Sequence, residues 1–589
     1  MNGFERNDER SRLEKTAPFS TGVVILLAAA ALLLFFGPAF VVHARLAMDP
    51  VILNDDARQQ IWPLYRLLES DLFAGDLIAS YYLDCMPVGF KFVYSLGGLL
   101  ASPATISRIL PYVLLFAVVF GVGVTGFRIA RWSGLFISLA SVLGSAIYLD
   151  RMTGGLPRAF GFPLVAILML LLARGRVMAF AAVAVASVAF YPSVAVIGGG
   201  ALALWMSFSR YVSPELGLKP WKRIALVAVS AALMGALHAP VIDSCSAYGP
   251  SLSAADRNEF PELGPRGRYL PEDRAPFGMP AGWFLRSAIS GLETDSLLLP
   301  EWSGRGMEWP LLFLAAVGGA GSLLACRSDF GLRRVWLLAP AALGAYAAAS
   351  ALYPSLYVPT RYPTVVMPLL APVVCAAGLR WLVGRVGFPT GRKSSIASAV
   401  AASALVFAAV MTPAPEVARA GWNVRIPNED LALHSFLGTL SRNVLIAGWP
   451  GRREPIESVP YLTQRPVLLS RETHQVFHER YALEMRRRMG ALIELFIDAD
   501  ESSPRRLHDE FGVTHVIVRK DREWLARLDY MEPYGSAIRR RRKASMEELQ
   551  SVFRGETIVY QDAKWLVLQI RGVASRDERP PGSPRPGDP

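Results

Sequence analysis

Residues 20–42 read STGVVILLAAAALLLFFGPAFVV, an uncharged run whose reading decides the fold. At 1.5 Å of rise per residue, a helix needs about 20 apolar residues to cross roughly 30 Å of hydrocarbon. The run is longer than the apolar segment of a cleaved signal, and no small-residue cleavage site follows it, so it is expected to remain as a first spanning helix. Ten further apolar runs follow, at 109–127, 132–149, 159–173, 177–191, 193–208, 224–242, 309–326, 335–352, 363–384 and 395–413. The fifth and sixth of the eleven meet at Tyr191-Pro192, where the missing amide of Pro192 breaks the helical ladder. With 52% apolar and 19% charged residues among 589, the chain is too apolar for an ordinary soluble domain.

The formal charge of +12 raises the question of nucleic acid, but most Lys and Arg of the first 400 residues lie in short loops between apolar runs, where they report topology. With a cytoplasmic tail at 1–19, the inner loops carry Arg128 and Arg131; Arg174 and Arg176; Arg210, Lys219, Lys222 and Arg223; Arg327, Arg333 and Arg334; and Arg380, Arg385, Arg392 and Lys393. Every short inner connection is basic, so no nucleic-acid partner is expected. The Gly-rich stretch 88–101 is too short to span and contains Lys91. It reads as a helix lying at the outer interface with Lys91 reaching to the headgroups.

Residues 20–413 thus form a transmembrane module with large outer loops at 43–108 and 243–308. Residues 414–572 follow as an outer domain of normal globular size. Its β-like runs are 443–449, 466–470, 514–519, 557–560 and 565–570, and its helix-like stretches are 474–498, 503–511 and 545–554. The fold class is a polytopic α-helical membrane protein with a C-terminal α/β domain. The Pro- and Arg-rich tail, 573–589, has the composition of a disordered segment. Cys85, Cys245, Cys326 and Cys375 show neither metal-ligand spacing nor a disulfide framework. Isolated thiols are expected, although Cys85 and Cys245 share the outer side and a bridge between them is open.

The most informative polar segment is Asn54-Asp55-Asp56-Ala57-Arg58-Gln59-Gln60, just after the first span. Adjacent carboxylates at a water–membrane boundary suit general-base work or divalent metal binding (Mg or Mn), because both need an ionisable oxygen near a cleft. Asp56 followed by Gln59 also reads as a capping box for a helix whose apolar face is Ile61, Leu64, Tyr65 and Leu68, with Pro63 resetting it. Asp55 is therefore the better catalytic candidate. Arg58 is a phosphate candidate. Further on, Asp71, Asp76 and Asp84 flank Tyr81-Tyr82; carboxylates with aromatics can form a sugar pocket, or rest on lipid headgroups.

Leu356-Tyr357-Val358-Pro359-Thr360-Arg361-Tyr362-Pro363 lies at the outer end of the tenth span. Arg361 can hold a phosphate through paired charge-assisted hydrogen bonds or reach to headgroups, with Tyr362 and Tyr357 beside it. Arg151 and Arg158, in Asp150-Arg151-Met152-Thr153-Gly154-Gly155-Leu156-Pro157-Arg158, break the positive-inside pattern, and an anionic ligand explains them better than topology does. His238, inside an apolar run, is a functional candidate or a neutral histidine bonded to a neighbouring helix. His474 and His478 are placed on one helix face without a third metal ligand. Arg539 to Lys543 reads as a solvated basic face. No Ser-His-Asp arrangement, phosphate loop or GxGxxG stands out.

At these residues the chain resembles the GT-C superfamily of multi-spanning glycosyltransferases, which includes protein O-mannosyltransferases, aminoarabinose transferases of lipid A and catalytic subunits of oligosaccharyltransferases. The resemblance covers the plan: an acidic motif in a long first outer loop, interfacial helices, a second large outer loop and a C-terminal outer domain. The segment 54–89 also resembles bacterial membrane proteins with an Asp-Asp-Ala-Arg-Gln-like start and a Pro-Gly-Tyr/Phe-Lys-like end. What this implies is inverting transfer of a sugar from a polyprenyl-phosphate donor to an envelope glycan, lipid or protein acceptor, at the outer face of a bacterial inner membrane. Asp55 matches the first-loop acid and Arg361 the arginine that holds donor phosphate. No WWD-type motif is present, which disfavours peptide asparagine as acceptor.

Two other classes compete. A lipid-linked glycan transporter would place polar groups at the bilayer midplane and show repeated halves, whereas the ionisable groups here gather at the outer boundary. A non-catalytic envelope scaffold would bind no lipid-phosphate sugar.

Overall fold

A computed structural model describes residues 36–264, 267–268, 318–352, 356, 358–385, 414–452 and 454–570. The expected span 395–413, the tail 573–589 and Tyr357 lie outside the described residues, as do most of the span 20–42 and half of the span 309–326. The chain divides into two compact units. One comprises Met1–Ala57, Cys85–Ser244 and Glu272–Arg425; the other comprises Arg58–Asp84, Cys245–Pro271 and Ile426–Pro589.

Among the described residues, four helices are long and apolar enough to cross a membrane: Pro103–Gly144, Pro157–Arg174, Pro220–Ser246 and Arg361–Leu382. The first is two expected spans joined end to end. Ala130 and Arg131 leave the helical region, with Arg131 at φ 56°, between the runs 109–127 and 132–149. Gly126 and Gly134 would lie about 12 Å apart along an unbroken helix, yet a Cβ on either would collide with the other's carbonyl, so the chain doubles back at this break. Val177–Ala189 and Pro192–Ser207 are shorter apolar helices, and Leu338–Ala351 falls within the expected span 335–352.

The loop arginines have a second role beyond topology. Helix Gly161–Arg174 ends at Gly175 in the left-handed region, φ 68°. Its last carbonyls, which no intrahelical amide can reach, accept from Arg128 Nε at Ala173 O (3.0 Å) and from the buried Arg334 Nε at Leu172 O (2.8 Å). Arg334 is itself paired with Glu215 (2.7 Å). Cations at a helix C-terminus also suit its dipole.

Helix Val88–Gly97 buries Phe90 and Tyr94 while Phe92 and Leu96 stay exposed, followed by Leu100 at 92% exposure. An apolar face is thus left open beside a packed one. At its start Gly89 is required: a Cβ there would stand 2.8 Å from the Ala189 carbonyl oxygen.

The second unit holds a four-stranded sheet of order β3-β4-β6-β5, built from β3 (Leu445–Ala447), β4 (Val513–Arg519), β5 (Thr557–Gln561) and β6 (Trp565–Gln569). β3 and β4 are parallel; the β4–β6 and β6–β5 pairs are antiparallel. Two further strands among the described residues, β1 (Ile52–Leu53) and β2 (Val424–Arg425), pair antiparallel in the first unit. Four of the expected strands are present. The fifth, 466–470, makes only a single bridge from Val467 to Ile446, because Pro466 has no amide to continue a ladder. Helix Asn428–Thr439 packs Leu433 and Leu437 against Val444, Ile446, Ile517 and Val567. Asp430 anchors it to the sheet by accepting from the Trp565 indole (2.8 Å) and Lys564 Nζ (2.9 Å).

Several sequence expectations need correction. The stretch 474–498 is helical only from Glu479, with a π-helical end at Glu494–Asp498, so His474 and His478 do not share a helix. His474 is buried, its Nδ1 3.2 Å from Tyr530 Oη; His478 Nδ1 lies 3.0 Å from Tyr81 Oη. The run 539–543 is exposed from Arg539 to Arg542, as a solvated face would be, and much of its charge is paired: Arg539 with Asp529 and Glu532, Arg541 with Asp498, and Arg542 with Glu548, while Lys543 donates to the Ala526 and Leu528 carbonyls. Cys85 and Cys245 are disulfide-bonded rather than isolated thiols. Spacing alone does not show this: the neighbouring Tyr248 hydroxyl donates to Asp84 Oδ2 (2.7 Å), a contact across 164 residues. Cys326 and Cys375 are free.

Glu457, 2% exposed, accepts from the Arg471 amide through Oε1 (2.5 Å) while Oε2 has no partner among the described residues. Burial pushes its carboxyl up from 4.5 to about 7, against the opposing pull of the Arg58 guanidinium. The raised value makes the folded state hold a proton that the unfolded chain releases, so ionisation of Glu457 erodes stability as pH rises from 4.5 to about 7. Glu457→Gln removes this group. Its stability relative to wild type, followed by urea unfolding, is expected to grow across that window and to level off above it.

Candidate functional site

In the helical unit the segment 54–57 is fixed from three sides. Asn54 is buried; its Oδ1 accepts from the Ala57 amide (3.0 Å) and its Nδ2 donates to the Gly421 carbonyl (2.8 Å). Asn54, not Asp56, therefore caps the short helix Ala57–Gln60. That helix gives way to a 3-10 turn at Trp62–Leu67, with Pro63 at its start. The Asp55 amide donates to Asn423 Oδ1 (2.9 Å), and the paired β1 and β2 hold the two stretches in register. Arg108 closes the preceding turn by donating to the carbonyls of Ala47 (2.6 Å) and Asp49 (2.8 Å).

The loop 150–158 packs against this segment. Gly154, at φ +89°, leaves no room for a side chain: a Cβ would stand 2.8 Å from Asn54 Oδ1 and 2.9 Å from Ala57 Cβ. The next carbonyl, Gly155, accepts from Tyr94 Oη (2.9 Å). Thr153 Oγ1 donates to Ala420 O (3.1 Å), which His43 Nε2 also approaches at 2.9 Å. The loop is thus held by its backbone, and its two arginines are left for other work.

Arg158 forms an ion pair with Asp56, and its Nε has no partner among the described residues. Arg151 lies within electrostatic reach of both Arg158 and Arg361; burial first, then Arg158, push its proton affinity down, with Asp150 opposing. It makes no hydrogen bond or ion pair among the described residues. Arg361 opens the helix Arg361–Arg385 and is half-buried. Three guanidinium groups, which repel one another and resist desolvation, are therefore gathered together, with Asp56 the carboxylate bonded to one of them. Such a set is stabilised by a bound anion.

The remaining candidates are placed as follows. Asp55 is half-buried and directly precedes Asp56 in the sequence. Tyr362 is buried and donates to the Leu356 carbonyl (2.9 Å). Lys91 is half-buried on helix Val88–Gly97, and His238 is half-buried within Pro220–Ser246. Arg58, Tyr81, Tyr82 and Asp84 belong to the second unit. There Arg58 is buried and donates to Ser458 Oγ (3.2 Å). Tyr81 is buried and stacks on Tyr481 with centroids 3.8 Å apart. Tyr82 Oη reaches the Glu472 carbonyl (3.4 Å). The aromatic pair singled out as a sugar platform is thus partly a packing element.

Among the described residues no group of three or more His, Cys, Asp or Glu side chains could hold a metal ion. Of the acidic pair, Asp56 is engaged by Arg158.

No protein-family profile matches the chain, and no curated protein does. Two crystal structures of ArnT from Cupriavidus metallidurans are similar to it, each over 92% of this chain and 98% of theirs. The apo state aligns at 15% identity with a TM-score of 0.48, and the state bound to undecaprenyl phosphate at 14% identity with a TM-score of 0.49. ArnT is an aminoarabinose transferase and a GT-C glycosyltransferase.

Proposed function

We propose that the helical unit is a membrane glycosyltransferase that takes a sugar from a polyprenyl-phosphate donor and passes it to an acceptor hydroxyl at the outer face of a bacterial inner membrane. The observation that carries this reading is the gathering of Arg151, Arg158 and Arg361, with Arg151 lacking any bonded partner among the described residues. A phosphate group satisfies the cluster. When a glycosyl-phosphate bond breaks, negative charge grows on the departing phosphate, and preplaced guanidinium groups stabilise that charge more than the ground state.

In this scheme Asp55 takes the acceptor proton. Its neighbour Asp56 is ion-paired with Arg158, and Asp55 is the residue that matches the family's first-loop acid. Transfer by direct displacement inverts the sugar carbon. The exposed apolar face of Val88–Gly97 gives the lipid tail of the donor a place to lie, with Lys91 near the headgroup level. The acceptor is an envelope glycan, lipid or protein.

Two outcomes follow. Asp55→Asn should lower turnover by about 10² to 10⁴, the usual contribution of a positioned base, while binding of polyprenyl phosphate is retained; release of polyprenyl phosphate from the donor in proteoliposomes measures it. Turnover at the wild-type rate would assign the proton transfer to another group. Arg151→Gln should weaken polyprenyl-phosphate binding about tenfold or more, from the loss of a charge-assisted hydrogen bond, and should flatten the dependence of that binding on salt.

A further inference from the structure

The junction Tyr191-Pro192 reads in the sequence as a helix break and nothing more. In the structure Pro192 is the first residue of Pro192–Ser207, and Tyr191 is extended at φ −150° and ψ 93°, which turns its side chain out of both flanking helices. The side chain is 6% exposed. Its ring lies over Gly161, where a Cβ would meet Tyr191 Cδ1 at 3.4 Å and Val365 Cγ1 at 3.2 Å. Gly161 directly follows the turn Pro157–Phe160 that carries Arg158, and Val365 lies one helical turn beyond Arg361. Tyr191 is also within electrostatic reach of Arg151. One phenol ring therefore borders the segments that carry all three arginines.

Its hydroxyl makes no hydrogen bond among the described residues. The residue as a whole is nearly buried, yet its hydroxyl oxygen is not among the buried side-chain atoms that lack a partner, so it stays open to a ligand. Packing over Gly161 needs only the ring, which phenylalanine would supply as well. The hydroxyl is thus a donor without an acceptor, beside a guanidinium in the same condition.

We propose that the Tyr191 hydroxyl is a ligand of the phosphate group held by Arg151, Arg158 and Arg361, donating a hydrogen bond to one of its oxygens. The inference rests on the reading of that cluster as a phosphate site. A neutral donor adds a directional contact without adding to the mutual repulsion of three cations.

The test compares wild type and Tyr191→Phe in detergent micelles, with farnesyl phosphate, farnesol and inorganic phosphate as probes. The expected result is an about tenfold loss of affinity for farnesyl phosphate, with farnesol binding and the thermal unfolding midpoint unchanged. A parallel loss with inorganic phosphate shows that the hydroxyl reads the phosphate itself, and a loss confined to farnesyl phosphate assigns it to the lipid headgroup; both support the contact. Tyr191→His, which restores a donor, should recover part of the affinity, a rescue that a purely packing role would not give. Undiminished farnesyl phosphate binding by Tyr191→Phe overturns the proposal while leaving the arginine cluster intact as a phosphate site. Failure of the wild type to bind either phosphate overturns both.

Discussion

The side-chain amide of Asn54 is the tie on which the rest of the site depends. One oxygen caps the turn that carries Asp55 and Asp56, and one nitrogen holds a carbonyl 367 residues further along the chain. Both groups are buried, so each would carry an uncompensated desolvation cost if the other end moved away. The loop bearing Arg151 and Arg158 then has a single way to settle, with Gly154 against the same amide. Carboxylate and guanidinium groups from separate parts of the chain meet because their backbones are held first.

This order of construction explains the balance of charge at the site. Like-charged side chains do not gather spontaneously in a low-dielectric setting. They gather here because their backbones are fixed by contacts that involve none of them: Tyr94 to Gly155, Thr153 to Ala420, and the helix that begins at Arg361. The energetic cost of bringing them together falls on folding, and an anion relieves it on binding, which is how a fold stores selectivity for one class of ligand.

Much of this was legible in the sequence, for identifiable reasons. The helices Pro157–Arg174, Pro220–Ser246 and Arg361–Leu382 follow from apolar length, and the hairpin break at Arg131 from the charge between two such runs. Arg151 and Arg158 stood out because they defy the positive-inside bias, a signal that depends on no alignment. The strands β4, β5 and β6 follow from alternation and β-branched content. Other features were hidden because they depend on contacts remote in sequence. Asp56 reads locally as a cap, yet pairs with Arg158 across 102 residues, and the cap passes to Asn54. Tyr81 carries the chemistry of a sugar platform and is stacked in an aromatic cluster. Tyr191 was overshadowed by the proline after it, since a helix break announces a bend and says nothing of where the preceding side chain is aimed.

The left-handed glycines give the molecule an uneven fragility. Gly154 and Gly421, at φ +89° and φ +74°, bring no charge and no nucleophile, yet a single methyl group on either would collide with the side chain packed against it, Asn54 and Ala57 at the first and Thr153 at the second. Natural variation is therefore constrained at places with no chemistry to protect. A lineage drifting toward a new sugar or acceptor has more freedom to exchange the groups that touch the ligand than to alter the bare backbone behind them.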